Sequence, residues 1–221
     1  MSKPSRSAGP ATHYALFAGL RRADVAYLVT GATALTLHGV PRLTPDVHLA
    51  VDPDPGNLAR LERLLAAWGY GAPAAGPPAD ANAVVRRFRH PSAALDTIDC
   101  TLPTPDEFAR LQAGAALVSL VDTGIPLVGA ADLRALGERA GSAAGRDDAA
   151  GLEILAAVRA GETGSETDTR REQIRKFSRW SIAARCDWLL AAARLSKGLS
   201  PEAKPMTRGL VRRNPWTRGR R

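Results

Sequence analysis

Five positions in the first half of the chain have types and spacings that suit phosphate chemistry. Thr30 and Gly31 follow a short apolar run, residues 24–29, and precede helix-forming sequence at 32–38. A glycine turn at a helix start presents free backbone N–H groups and the positive end of the helix dipole, which suits a phosphate. Asp46 and His48 stand two apart in an alternating stretch, 46–51. On a strand that spacing turns both side chains to one face. Arg42, just before, can reach an anion on the same side. Asp96 and Asp99 lie at a later strand, 97–102, and can bring a further carboxylate. They are three apart, so a straight strand turns them to opposite faces and only one joins.

The elements that must position these residues are legible from patterning. The run at 24–29 reads as a buried strand, 32–38 as a helix ended by Gly39, and 46–51 as a second strand. Leu58, Leu61, Leu64, Leu65 and Trp68 recur at the helical period in a helix beginning at Asn57. Residues 71–83, rich in Ala, Pro and Gly, read as a loop. Two close strands, 84–89 and 97–102, suggest an antiparallel pair, and 116–121 with 125–128 a hairpin about Asp122, Thr123 and Gly124. Helices follow at 106–112, 131–140, 146–159 and about 170–195, the last with Ser178 or Ser181 as an internal cap. The sum is an α+β (mixed) chain with a helical C-terminal half. Its expected organisation is a leader at 1–12, a main domain at 13–160, a linker at 161–169, a helical region at 170–196 and a basic tail at 197–221.

Over residues 24–70 the chain resembles the nucleotidyltransferase superfamily, especially the bacterial branch with abortive-infection-type and minimal nucleotidyltransferase toxins. That branch shows a Gly-Gly or Gly-Ser turn, then Ala-Leu, His-Gly and Arg-x-Thr-x-Asp-x-Asp. The matches are Gly31, Ala34, Leu35, His38, Gly39, Arg42, Thr44 and Asp46. A weaker likeness continues through 97–102, where the third carboxylate of the family falls, and into 131–148. The resemblance implies a small twisted sheet flanked by helices. It also implies two Mg²⁺ ions on carboxylates, in-line attack on the α-phosphorus of a nucleoside triphosphate, and loss of pyrophosphate. Carried onto this chain, Asp46 and Asp99 take the catalytic positions, with Asp96 the alternative to Asp99. Thr30, Gly31 and Arg42 hold the triphosphate, and Asp46, His48 and Asp99 form the metal set. The acceptor is a hydroxyl of RNA, protein or a small molecule. The alternative is a non-catalytic binding or regulatory module on the same fold, such as a toxin–antitoxin or phage-defence component.

The chain departs from that pattern at three places. His48 stands at the second carboxylate, and imidazole is a poor ligand for Mg²⁺, though Mn²⁺ accepts it better. Thr30 replaces the first residue of the glycine pair, and Gly137 stands where related sequences have a lysine. Glu62 and Asp52 are the nearby acids that can compensate for the missing carboxylate. Arg87 and Arg89 share a strand face, read mainly as solvated and otherwise as a guide for triphosphate or RNA. His38 reads as satisfying a backbone carbonyl at a helix end, His90 as a turn residue and His13 as surface.

Composition bounds the remaining classes. The chain has 221 residues, 45% hydrophobic and 24% charged, enough for one main core. Aromatics are 5%, so the core must rest on Leu, Val and Ala. The net charge is +8, and eight Lys or Arg against one acid, Glu202, lie in the tail from Lys197 to Arg221. Such a tail, with Trp216, can follow an RNA backbone or stay solvated without a partner. The helical region 170–195 either packs on the domain or receives a protein partner. No run of 18 apolar residues predicts a membrane span, and the polar opening residues predict no secretory leader. Cys100 and Cys186 match no metal or redox spacing and read as reduced buried thiols of a cytoplasmic protein.

Overall fold

A computed structural model describes residues 9–76, 84–162 and 169–198. Residues 1–8 of the leader, 77–83 of the loop, 163–168 of the linker and 199–221 of the tail lie outside the described residues. The chain is mixed α+β, with a seven-stranded sheet and eight helices among the described residues. They run α1 (His13–Arg22), β1 (Tyr27–Val29), α2 (Gly31–His38), β2 (Val47–Val51), α3 (Pro55–Ala67), β3 (Ala74–Ala75), β4 (Val84–Arg89) and β5 (Thr97–Leu102). Then come α4 (Pro105–Ala113), β6 (Ala116–Leu120), β7 (Thr123–Leu127), α5 (Ala130–Arg139), α6 (Ala143–Arg159), α7 (Thr169–Phe177) and α8 (Ile182–Gly198). No helix among the described residues is long and apolar enough to cross a membrane.

The sheet order is β3-β4-β5-β2-β1-β7-β6. Strand β2 pairs antiparallel with β1 and parallel with β5, and β4 closes an antiparallel hairpin onto β5. The period-two rule sorts the side chains. Val47, Leu49 and Val51 of β2, with Ile98 and Cys100 of β5, are buried in the core, while His48 and Asp99 turn the other way.

Helix α1 was not among the elements read from the sequence. Thr12 caps it, and His13, Leu16, Phe17 and Leu20 form its buried stripe. His13 is therefore a core residue and not a surface one. It sits one turn before Leu16 and Phe17 on the same face, and burial pushes its imidazole down to about 4. Asp24 adopts a left-handed conformation (φ 52°), and Val25 N–H returns to the Leu20 carbonyl, closing α1. That closure is why β1 begins at Tyr27, later than the apolar run at 24–29.

The region 170–195 is two helices. Ser181 starts the second by accepting from Ala184 N–H at 3.2 Å. Helix α8 packs on α2, and Ile174, Cys186 and Leu190 join the main core. Cys100 and Cys186 are free and buried. Gly137 has a packing cause. A Cβ there would meet the Gly145 carbonyl oxygen at 2.9 Å, so α5 and α6 cross at a Gly137–Gly145 contact closed to larger residues. Within the loop 71–83, Ala74 and Ala75 form β3 and pair with β4.

Candidate functional site

The register of three strands builds the site. Arg87 of β4 stands opposite Asp99 of β5, and Asp99 stands opposite His48 of β2. Paired residues of neighbouring strands project to the same face, so the three form a row across the sheet. Asp46 immediately precedes β2 and reaches the same group. Its backbone is held by Thr44, whose hydroxyl accepts from Asp46 N–H at 3.2 Å and lies 3.0 Å from Asp46 O, and by Thr33, 3.4 Å from Asp46 O.

One ligand atom each from Asp46, His48 and Asp99 lie within 4.8 Å of one another. Asp99, and not Asp96, joins them. Arg87 closes the group with a two-pronged pair: Nε donates to Asp99 Oδ1 at 2.7 Å and Nη2 to Oδ2 at 2.5 Å. The same Nη2 is 3.8 Å from Asp46 Oδ2, and His48 Nε2 is 3.8 Å from Asp99 Oδ2. The carboxylate of Asp99 is the least exposed member, at 10%.

Helix α2 meets this row with its N-terminus. Gly31 is left-handed (φ +57°), and a Cβ there would lie 2.4 Å from His48 Nδ1, so the imidazole packs directly over the glycine turn. Thr30 N–H donates to the His48 carbonyl at 3.0 Å. The Thr30 side chain makes no capping bond, unlike Thr12, Asp54, Thr104 and Ser142, which cap α1, α3, α4 and α6. The first N–H groups of a helix have no intrahelical partner, and here no Thr30 side-chain bond takes one up.

Burial raises the Asp46 carboxyl above its ordinary range; His48 and Arg87 oppose the rise and Asp99 adds to it. Burial also lowers His48, against the pull of Asp99 and Asp46. Arg87 is held further in its charged form, chiefly by its hydrogen bonds to Asp99. Two carboxylates, an imidazole and one guanidinium thus face each other.

Other residues singled out by sequence go elsewhere. Arg42 pairs with Asp148 of α6, Nε to Oδ1 at 2.8 Å, where burial pushes the Asp148 carboxyl up to about 6. Glu62 pairs with Arg86, and Asp52 accepts from Asp54 N–H, so neither acid completes the group. His38 Nε2 donates to the Val128 carbonyl at 2.8 Å, and His90 Nδ1 accepts from Ser92 and Ala93 in a turn. Sequence reasoning gave Arg87 mainly to a solvated face. Its role depends on β4–β5 register, which no local signal carries.

A pair of Mg²⁺ ions does not fit these donors. Mg²⁺ asks for oxygen ligands in octahedral geometry, whereas one donor here is an imidazole and both Asp99 oxygens are engaged by Arg87. No family model matches the chain, and no curated protein matches it.

Proposed function

We propose that this chain is a nucleotidyltransferase-like protein that binds a nucleoside triphosphate without two-metal transfer. The observation that carries the reading is the uncapped N-terminus of α2, set beside Asp46, His48, Asp99 and Arg87. The N–H groups of Gly31, Ala32 and Thr33 and the Thr30 hydroxyl would receive phosphate oxygens. Arg87 uses two of its five donors on Asp99 and keeps three for an anion. The order β1–α2–β2, with β5 beside β2, sets the start of α2 next to this group. RNA contact through the basic tail is part of the proposal and rests on sequence alone, as does a cytoplasmic setting.

A second reading, nucleotide transfer to a hydroxyl of RNA, protein or a small molecule, is favoured by the Asp46–His48–Asp99 group. Mn²⁺ accepts imidazole where Mg²⁺ resists it. One experiment separates the two. The protein is incubated with α-labelled nucleoside triphosphates, total RNA and protein, in Mg²⁺ and in Mn²⁺. Reversible retention of label without covalent transfer supports the binding reading. Covalent incorporation by wild type, lost in Asp46→Ala, overturns it in favour of transfer. Neither retention nor incorporation sinks both.

A further inference from the structure

We infer that the Arg87 guanidinium is the resident cation of this site, standing in for a divalent metal and closing Asp99 to one. Three observations converge. The guanidinium grips both oxygens of Asp99 and extends the same Nη2 toward Asp46 Oδ2 at 3.8 Å, so one positive group serves both carboxylates. That is the electrostatic task of a bridging ion. The third potential ligand, His48, is an imidazole and not a carboxylate, so it adds no negative charge for a divalent ion, and it packs over Gly31. The spacing is also wider than that of adjacent ligands on one ion. Adjacent ligand atoms about an ion at about 2.1 Å stand roughly 3 Å apart, and opposed ones roughly 4.2 Å. Here His48 Nε2 and Asp99 Oδ2 are 3.8 Å apart, and the three ligand atoms lie within 4.8 Å of one another.

Charge points the same way. With Arg87 in place, a divalent ion would face a guanidinium sharing its ligand, and like charges at that range repel. Arg87 leaves Asp99 only by giving up two charge-assisted hydrogen bonds, from a side chain 18% exposed. Metal and guanidinium therefore compete for one carboxylate. Removing Arg87 opens a His48–Asp46–Asp99 site whose imidazole selects Mn²⁺ over Mg²⁺.

The inference rests on the reading of this row as a nucleotidyltransferase-like site, but it is tested with metal alone and no nucleotide. Free Mn²⁺ is followed by electron paramagnetic resonance during titration of the full chain. Wild type is expected to leave the signal free. Arg87→Met, which keeps an apolar stem, is expected to bind one Mn²⁺ per chain, roughly tenfold or more tighter than wild type. Adding Asp46→Asn to Arg87→Met should abolish the gain. Equal Mn²⁺ binding by wild type and Arg87→Met overturns the inference, as does a folded Arg87→Met that binds none.

A measurement on wild type covers the case in which Arg87→Met does not fold. The His48 ring protons, assigned by their loss in His48→Asn, should keep their NMR line widths as Mn²⁺ is added. Selective broadening of those lines overturns the inference. Loss of nucleotide binding in a metal-silent wild type would sink the functional reading and leave the assignment of Arg87 standing.

Discussion

The two ends of α2 are treated in opposite ways by the same chain. At the C-terminus every feature closes the helix. Gly39 is left-handed (φ +119°), and Val40 N–H returns to the Leu35 carbonyl at 2.9 Å. Arg185 Nη1 donates to Leu37 O at 2.6 Å and Arg159 Nη2 to His38 O at 2.7 Å. Two guanidiniums thus sit on the negative end of the dipole. At the N-terminus the chain supplies no side-chain cap, and the nearby guanidinium of Arg87 turns two of its donors to the Asp99 carboxylate. Cations that satisfy backbone carbonyls hold the fold at the closed end, and under the proposed function the end left without a cap is where a phosphate is met.

The sharpest break of that contrast is at the closed end. Arg185→Met removes two charged hydrogen bonds, to Leu37 O and Ser178 O, and leaves the buried Leu37 carbonyl without its guanidinium partner. We expect a loss of about 4 kcal/mol, read from urea unfolding. A loss under about 1 kcal/mol would show that water replaces the guanidinium there.

At the open end, Gly31→Ala forces a side chain into a left-handed residue against the His48 ring, at an expected cost of about 2 kcal/mol. In a His48→Ala background the steric part should vanish and only the backbone part persist. Equal costs in both backgrounds would remove His48 from contact with the turn.

Asp148, the partner of Arg42, gives a pH test. Its folded carboxyl titrates near 6 against an ordinary value of 3.8, because burial favours the protonated form. Its contribution to stability is present below about pH 4 and lost as pH rises through about 6. Relative to Asp148→Asn, wild type should therefore lose about 2 kcal/mol between pH 4 and pH 7, read from urea unfolding. A flat difference would mean that Arg42 fully offsets the burial.

The smallest effects compare caps. Thr104 accepts from Glu107 N–H at 3.2 Å, so Thr104→Ala should cost about 1 kcal/mol. Thr30 makes no such bond, so Thr30→Ala should leave thermal stability within about 0.5 kcal/mol and weaken nucleotide retention. A drop in stability as large as that of Thr104→Ala would assign Thr30 to structure.

Local rules carried much of this in the sequence. Leu61 and Leu65 marked α3 through period, Gly39 the end of α2, and Asp46 with His48 a shared face. His13 differs because its place on the face of Leu16, Phe17 and Leu20 follows only once residues 13–22 form a helix packed on the core. Nothing local distinguished Arg87 from Arg89, which stand two apart on one strand.

The sequence by itself determined α2, α3, the strand alternation and the glycine turn, because each is set by neighbours within a few residues. Tertiary structure alone decided that Asp99 and not Asp96 joins Asp46, that Arg87 takes Asp99, and that Gly137 serves a helix crossing. Those outcomes depend on the parallel pairing of β2 with β5, the register of β4 on β5 and the approach of α5 to α6. A one-residue slip in β4 would turn Arg87 to the other face without changing a single local preference.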